Sequence, residues 1–329
     1  MKKKIVVIGG GTGTYTVLMG LKKYPLDLSV IVSMADSGGS NRVIRDEFGL
    51  LPTSDIRQCM VGLASNDSDK LLRKLFTYRY SAGVGISGMT FGNLFMAALT
   101  DIYQDQEKAI DKTCEILHVQ GKIIPVSFDK TNLVATYENG EEVLGEHQID
   151  EVSEKLGNQK ITDLKVFPKA KANPKALNAI KEADLIVFGP GDLFTSVICN
   201  LVVDGIAEAI KNSKAKVVYV VNLMTRFGQT NNFSAKDHLE AVEKYLGKGV
   251  VDYCLVNNSN EFPKGVLERY KEEKAFPVKD DFNGYDKVKI VRGNFISAQV
   301  YEKPKSDRLF RSLIRHNSDK LAKAIFSLL

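Results

Sequence analysis

Three glycine-rich turns follow short runs of apolar residues, and turns of this composition suit the binding of a phosphate. The turns occupy residues 9–14, 35–40 and 189–192, and the apolar runs are residues 4–8, 28–33 and 184–188. Glycine lets the backbone turn sharply and approach a ligand closely. Backbone N–H groups at the start of a following helix attract an anion, helped by the helix dipole. Because ligands of open α/β sheets gather at the carboxyl ends of the strands, we expect the turns to face one nucleotide.

The first turn lies between a predicted strand and a predicted helix, as a dinucleotide-binding loop does, but it lacks the full glycine spacing of that loop. Thr14, or Thr16 in the other register, stands where the third glycine is expected, and no Gly-Lys-Ser/Thr follows, which excludes a P-loop. The alternative is a tight structural turn that binds nothing. An NAD-dependent oxidoreductase is a further hypothesis, and the altered spacing and the lack of a motif-supported proton donor oppose it.

Single polar residues near these turns are additional candidates, each with a structural alternative. Asp36 follows the second apolar run, where it would bind a ribose hydroxyl or cap a helix. Asp55 would face the ligand or serve as a helix N-cap. The amide of Asn93 would reach a ligand, unless Gly92-Asn93 marks a close contact between helices. Asn222 and Thr225 lie just past the apolar run 216–221.

The order of the predicted elements indicates an α/β fold. The β-α-β opening predicts a parallel sheet with right-handed crossovers. Residues 121–170 are predicted to form a small β-rich insertion, in which Asn139-Gly140 is a strong hairpin signal. Residues 257–329 are predicted to be irregular and helical, ending in a helix over 317–329 capped by Asn317 or Ser318. We therefore expect one Rossmann-like domain over 1–329, doubly wound around a mostly parallel sheet.

Composition excludes several functional classes. The 329 residues are 44% apolar and 26% charged, as in ordinary globular proteins, and a net charge of +5 without a basic stripe argues against a nucleic-acid partner. The four cysteines form no CxxC pair, and the four histidines show no metal-binding spacing. No apolar run reaches the length of a signal-peptide core or a membrane span. We expect a soluble, cytoplasmic protein.

Taken together, the motifs resemble those of the YvcK/CofD superfamily over nearly the whole chain and in the right order. The matching blocks are residues 9–13, 35–40, 45–49, 55–59, 92–93, 189–196, 200–201, 205–206 and 222–225. The stretch Arg315-His316-Asn317-Ser318 is similar to the Arg-His-Asp stretch of the YvcK branch.

The resemblance implies a Rossmann-like fold that binds a nucleotide across the strand ends. YvcK-type proteins bind UDP-sugars such as UDP-N-acetylglucosamine, and they are linked to growth on gluconeogenic carbon sources, cell shape and cell-wall homeostasis, with no established reaction. CofD-type enzymes are 2-phospho-L-lactate transferases, which move a phospholactyl group from a GDP-activated donor to the deazaflavin Fo with Mg²⁺. The resemblance thus favours a YvcK-like regulator, with a CofD-like enzyme as the alternative. A homodimer is a further expectation.

The resemblance also implies roles for individual residues. Asp36 and Asp55 are the candidates for a catalytic role and for Mg²⁺, and Arg315 would help to hold a UDP-sugar. The whole set expected to bind the ligand is Gly10, Gly11, Thr12, Gly13, Asp36, Gly38, Gly39, Ser40, Asn93, Gly189, Gly191, Asp192, Ser196, Asn222, Thr225 and Arg315.

The second turn departs from the family pattern Asp-Asp-Gly-Gly-Ser-Ser-Gly. Ser37 replaces the second aspartate, and Asn41-Arg42 replace the final Ser-Gly. Since Mg²⁺ favours carboxylate oxygens, losing one weakens a metal site, whereas Arg42 adds positive charge that suits a phosphate. These departures leave nucleotide binding intact and argue against phosphotransfer.

Overall fold

The computed structural model describes residues 2–35, 37–65, 70–283, 287–301 and 312–329. Its strands are β1 (Lys3–Ile8), β2 (Leu26–Val32), β3 (Lys122–Pro125), β4 (Asn132–Tyr137), β5 (Glu142–Leu144), β6 (Ile161–Phe167), β7 (Leu185–Phe188), β8 (Lys216–Val220), β9 (Tyr253–Asn257) and β10 (Lys289–Gly293).

Seven of these strands form one parallel sheet in the order β10-β9-β8-β7-β1-β2-β3. From β1 the chain continues on one side to β2 and β3, and it later fills the other side from β7 to β10. The order therefore reverses between β1 and β7, and a crevice opens at such a switch point. This arrangement confirms the predicted Rossmann-like α/β class.

Both faces of the sheet are covered, as parallel sheets require. Alternate residues of β1 point to opposite sides. Val6 and Ile8 join one cluster of buried residues, which we call the insertion-side core. Ile5 and Val7 join the other, which we call the α1-side core. This alternation explains why the strands appear in the sequence as continuous apolar runs.

The helices flank the sheet and follow the strands closely. They are α1 (Gly11–Leu21), α2 (Gly39–Phe48), α3 (Ser54–Leu63), α4 (Lys70–Thr77), α5 (Phe91–Tyr103), α6 (Gln106–Ile116), α7 (Glu146–Asp150), α8 (Glu154–Gly157), α9 (Pro174–Glu182), α10 (Cys199–Leu201), α11 (Ile206–Lys211), α12 (Ala235–Leu246), α13 (Val266–Glu272) and α14 (Ser318–Phe326). A π-helical turn, Leu193–Ile198, precedes α10. Within the described ranges, no helix combines the length and apolar character needed to span a bilayer.

The β-rich insertion is a small antiparallel sheet in the order β5-β4-β6. The hairpin predicted at Asn139-Gly140 joins β4 to β5, and Gly140 takes a φ of 82° in its turn. The predicted start of the insertion at residue 121 is wrong in one respect. The first strand, β3, pairs in parallel with β2 at the edge of the main sheet, so the second sheet begins only at Asn132.

The C-terminal region contains a strand where only irregular and helical structure was expected. β10 pairs in parallel with β9 and extends the main sheet. Its residues are only partly buried, because it lies at the sheet edge, and so it lacks the apolar run that marks a central strand. The final helix begins as predicted, with Asn317 as its N-cap accepting from the N–H groups of Asp319 and Lys320.

Candidate functional site

A cleft of about 500 Å³ lies at the carboxyl ends of the central strands, and the three glycine-rich turns meet in it. Gly11 follows β1, Gly38 follows β2 and Gly191 follows β7, and all three line the same cleft. The predicted candidates that line it are Gly10, Gly11, Thr12, Gly13, Gly38, Asp55, Gly191, Asp192, Ser196, Asn222, Thr225 and Arg315. The cleft therefore coincides with the switch point between β1 and β7.

The first turn presents the amino end of α1 to the cleft. Gly10 is the N-cap in extended conformation, and no side chain makes a capping hydrogen bond there. Gly11 has a φ of 64°, a conformation that favours glycine. Because α1 begins at Gly11 rather than near residue 14, the backbone N–H groups of this glycine turn belong to the first helical turn. Such groups can donate hydrogen bonds to a phosphate.

The first and third turns are in direct contact. A Cβ on Gly13 would clash with the carbonyl of Pro190 and would stand 3.0 Å from the backbone nitrogen of Gly191. Gly13 thus serves the packing of α1 against the third turn. Gly189, with a φ of 70°, shapes that turn but is not among the residues that line the cleft.

The π-helical turn completes the third loop. Asp192 is its N-cap, but the aspartate side chain makes no capping hydrogen bond. The side chain of Ser196 lies beside the first turn, since a Cβ on Gly11 would be 3.9 Å from Ser196 Oγ. Asn200, which is fully buried, donates from Nδ2 to the Ser196 carbonyl at 2.9 Å and so anchors the turn.

The second turn is tied to the insertion. Asp36 lies outside the described residues, and Gly39 and Ser40 begin α2. The backbone N–H of Ser37 donates to Glu146 Oε2 at 3.3 Å, and the Ser37 hydroxyl accepts from the His147 N–H at 3.1 Å. The residue that replaces the second family aspartate therefore holds α7 against this turn.

Asp55 lies in the first turn of α3, where the side chain faces the cleft and does not cap the helix. Capping is supplied from α2 instead. The buried Asn41 Oδ1 accepts from the backbone N–H groups of Thr53 and Ser54 at 3.2 and 3.3 Å, and from the Ser54 hydroxyl at 2.9 Å. Asp55 is therefore not the residue that caps α3, which is the usual structural role of an acidic residue at a helix start.

The structure corrects the prediction that Asn93 lines the site. Asn93 is fully buried in α5, behind the cleft wall. Its Oδ1 accepts from Arg57 Nε at 3.0 Å, and its Nδ2 donates to Ser54 Oγ at 3.0 Å. Gly92 fits the structural alternative, since a Cβ there would clash with Arg57 and with Phe76. Asn93 is thus a positioning residue for Arg57, which does line the cleft.

One part of the cleft lining combines polar groups with an apolar floor. Leu223, Met224, Tyr270, Ala275 and Ile314 line it and belong to a common buried cluster.

Asn222 and Arg315 are the polar candidates next to this floor in the chain. Asn222 Oδ1 is buried and has no hydrogen-bond partner in the described part of the chain. The Arg315 guanidinium stacks on the ring of Tyr301, with 3.9 Å between Cζ and the ring centroid. Thr225 Oγ1, in contrast, accepts from the Phe276 N–H at 2.9 Å and holds the loop.

His316 also belongs to the cleft lining, but its side chain is almost fully buried. It is 7% exposed, and burial lowers its pKa to about 4, against the opposing effect of a hydrogen bond with the Val221 backbone. The imidazole is therefore neutral at pH 7 and can act as a hydrogen-bonding group without charge.

Sequence reasoning missed one whole wall of the cleft. Glu146, Asp150 and Glu151 line it from α7 and the residue after it, and that helix was hidden within a segment expected to be β-rich. Asp150 is the hub of this wall, because its Oδ1 accepts from Thr195 Oγ1 at 3.1 Å and from Gln229 Nε2 at 2.6 Å.

Arg226 is a further lining residue that sequence reasoning missed. Its Nη2 lies 3.7 Å from Asp150 Oδ2. Burial by itself lowers the pKa of Arg226, but the charges of Asp192, Asp150, Glu273 and Glu146 outweigh burial and raise it. The guanidinium is thus permanently charged and surrounded by carboxylates.

The described ranges bear on the predicted Mg²⁺ site only in part. No three histidine, cysteine, aspartate or glutamate side chains there are grouped to hold a metal ion. Asp55 alone of the two predicted metal-binding carboxylates is described. The Mg²⁺ site therefore stays a prediction.

A doubly wound parallel sheet with a ligand-sized cleft at its switch point places the chain among the Rossmann-like α/β proteins. The chain belongs to the CofD family, whose model, described as 2-phospho-L-lactate transferase CofD, matches residues 5–296.

Two relatives show how far this similarity extends. A relative from Clostridium acetobutylicum is 42% identical over 98% of this chain and 68% of its own length. A Bacillus subtilis protein described as a gluconeogenesis factor is 36% identical over all of this chain and 98% of its own.

Solved structures agree with the fold. A crystal structure of a Bacillus halodurans protein superimposes with a TM-score of 0.88 at 37% identity, covering 99% of this chain and all of the other. A second crystal structure from Bacillus halodurans, of a protein described as a member of the UPF0052 family, gives a TM-score of 0.87 at 36% identity over 99% of both chains.

Proposed function

We propose that this chain binds a nucleotide sugar of the UDP-N-acetylglucosamine type in the cleft and acts as a gluconeogenesis factor that regulates cell shape and cell-wall homeostasis. The observation that carries the proposal is the meeting of Gly11, Gly38 and Gly191 in a single cleft at the switch point. Two relatives are described as gluconeogenesis factors, and the match to this chain spans nearly the whole length of each of them.

The diphosphate is proposed to lie against the first and third turns. The uncapped amino end of α1 and the backbone of Gly191 offer N–H groups without a side-chain competitor at Gly10. Arg57 and Arg315, which both line the cleft, add positive charge. The apolar floor around Tyr270 and Ile314 suits the flat base, with Asn222 as a polar group at its edge.

Calorimetry with UDP-N-acetylglucosamine tests the proposal. Gly11→Ala and Gly49→Ala form a matched pair, because both glycines have a φ of 64° and only Gly11 lines the cleft. Equal backbone strain is expected in the two variants, so a loss of binding confined to Gly11→Ala supports ligand approach at the first turn. A folded wild-type protein that fails to bind millimolar ligand contradicts the proposal.

A CofD-type transferase is the second candidate, and the match to the CofD family model supports its consideration. Catalysis would rest on positioning and on neutralising phosphate charge, with Asp55 oriented toward the acceptor or Mg²⁺. Ser37 argues against this function, because its polar groups are engaged with Glu146 and His147 of α7. Incubation with the GDP-activated phospholactate donor, Fo and Mg²⁺ tests this second function. Formation of the phospholactyl product would establish transferase activity, and absence of the product would exclude it.

A further inference from the structure

The helix α4 carries an apolar stripe that the fold does not bury. Leu72 and Phe76 of α4 pack into the α1-side core, as one side of a surface helix should. A different side presents residues at the i, i+3, i+4 and i+7 spacing of one helical face, namely Leu71, Lys74, Leu75 and, just past the end of the helix, Tyr78. Leu71 is 60% exposed, and Leu75 and Tyr78 are exposed as well. Because the core needs only one side of α4, the second apolar stripe indicates a contact outside the chain.

A projecting hairpin continues this surface. The Phe91 N–H donates to the Tyr78 carbonyl at 2.9 Å and closes the hairpin at its base. The residues of the tip, 81–87, are all exposed, and the side chain of Val84 is fully exposed. Ile86 is the second large aliphatic residue of the tip, and it too is exposed. Two aliphatic side chains therefore stand out into solvent on a hairpin that begins where the α4 stripe ends.

The charged residues of this region are all basic. Residues 70–100 contain Lys70, Arg73, Lys74 and Arg79, and no aspartate or glutamate. Lys70 and Lys74 are exposed, and no carboxylate in the described ranges forms an ion pair with either of them. An exposed apolar surface with cations and without carboxylates complements a partner that is both anionic and apolar.

An anionic lipid surface is the partner that fits these features best. A second copy of this chain fits poorly, because an isologous dimer would bring Lys70 and Lys74 of both copies into one interface. A peptide would need a groove, whereas Val84 projects into solvent. A bilayer surface takes up projecting aliphatic side chains, attracts lysine through its anionic headgroups and accommodates tyrosine at headgroup depth. Tyr78 supplies such a tyrosine on the same stripe as Lys74.

We infer that α4 and the following hairpin form a lipid-docking surface, made of Lys70, Leu71, Lys74, Leu75, Tyr78 and Val84, that attaches the protein reversibly to an anionic membrane. The cleft lies close to this surface, since Arg79 lines it and donates from Nη1 to the Gly88 carbonyl of the hairpin at 2.6 Å. The docked protein therefore holds its cleft beside the lipid headgroups. The inference goes beyond the proposed function and does not depend on it.

Tryptophan fluorescence tests the hairpin tip directly. The chain contains no tryptophan, so Val84→Trp supplies a single reporter in the full-length protein. With vesicles of phosphatidylglycerol and phosphatidylcholine its emission should shift to the blue, and brominated lipid should quench it, because the indole leaves water for the interface. Vesicles of phosphatidylcholine alone should cause no shift. Ile116→Trp is the matched control and should keep the emission of a solvated indole, since Ile116 is exposed before β3, at the sheet edge opposite the cleft.

Sedimentation with the same vesicles tests the charge of the surface without a new apolar group. The wild type should sediment with the anionic vesicles, and Lys74→Glu should lower the partition about tenfold or more, because the reversal removes one attraction and adds one repulsion. Lys214→Glu is the control and should sediment as the wild type does, since Lys214 is exposed just before β8, at the edge opposite the cleft. Binding should weaken with salt, as the Debye length falls from about 10 Å at 0.1 M to about 3 Å at 1 M.

Three results overturn the inference in samples shown to be folded by urea unfolding. They are a wild type that sediments with neither kind of vesicle, a Val84→Trp emission that does not shift, and equal losses in Lys74→Glu and Lys214→Glu. Binding to poly-L-glutamate without binding to vesicles also overturns it and assigns the surface to an acidic protein. None of these measurements uses a nucleotide, so their failure leaves nucleotide-sugar binding in the cleft untouched.

Discussion

The carboxylate of Asp55 fills the space that a side chain on Gly10 would need. A Cβ built on Gly10 would clash with Asp55 Oδ2, although the φ of Gly10, −148°, is one that any residue adopts. Glycine at position 10 therefore leaves room for the Asp55 side chain of α3 beside the first turn. This placement brings an acidic group beside the amino end of α1, where the helix dipole stabilises negative charge.

Gly10→Ala should therefore lower the free energy of unfolding by about 1–3 kcal/mol, as overpacking does at a tight contact. Asp55→Ala removes the opposing carboxylate, so the alanine at position 10 should cost much less in that background. Urea unfolding of the four proteins of this double-mutant cycle measures the coupling. Equal costs in both backgrounds would show that the two groups do not compete for this space.

Asn93→Ala should destabilise the protein and weaken ligand binding together. It leaves the Arg57 Nε and Ser54 Oγ without their buried partner, which costs about 1–3 kcal/mol of folding free energy. Binding should weaken because Arg57 loses its anchor. Urea unfolding and calorimetry measure the two effects.

Asn212→Ala is the control for that substitution, since Asn212 is exposed and its side chain donates to Glu208 on α11. Its effect on stability should stay within about 0.5 kcal/mol. Unchanged affinity in a destabilised Asn93→Ala protein would mean that the hydrogen bond from Arg57 to Asn93 is not needed for ligand binding.

The first and third turns could be predicted from sequence because their signals are local. A β-branched run, a glycine turn and a helix follow one another within a few residues, and the sheet then brings the turns of β1 and β7 together. Gly13 shows what such local patterns leave undetermined. Its contact with Pro190 joins segments that are distant in sequence, so only the folded structure distinguishes packing from ligand contact at this residue.

The wall of the cleft that α7 forms could not be predicted in the same way. α7 has five residues, too few to display a helical periodicity, and it lies in a segment dominated by strand signals. Asn93 illustrates the converse error. The polar residue was assigned to the ligand, and its true partners, Arg57 and Ser54, lie on another helix. Long-range polar networks leave little trace in a single sequence.

Ser37→Ala should loosen α7 from the second turn without unfolding the sheet. The substitution removes the hydroxyl that accepts from the His147 N–H, and that amide would then exchange with solvent more readily. Hydrogen exchange at the His147 amide measures the change. Ser327→Ala, at an exposed serine bonded to Ala324 in α14, is the control and should leave this amide protected. Unaltered exchange in Ser37→Ala would mean that other contacts suffice to dock α7.

Acid should destabilise the protein partly through His316. Because burial holds its pKa at about 4, below the ordinary 6.5, the unfolded chain binds a proton between these values while the folded protein does not. The stabilising contribution is complete above pH 6.5 and is lost as the pH falls toward 4, by about 3 kcal/mol for a shift of this size.

His316→Asn should therefore show a shallower loss of unfolding free energy between pH 6.5 and 4 than the wild type. His118→Asn is the matched control, since His118 is exposed and its φ of 47° is one that asparagine tolerates. Urea unfolding at a series of pH values yields the slopes. His238 is buried with a pKa also lowered to about 4, so some acid sensitivity should persist in His316→Asn. A slope in His316→Asn as steep as that of the wild type would mean that the imidazole of His316 takes up its proton in the folded state.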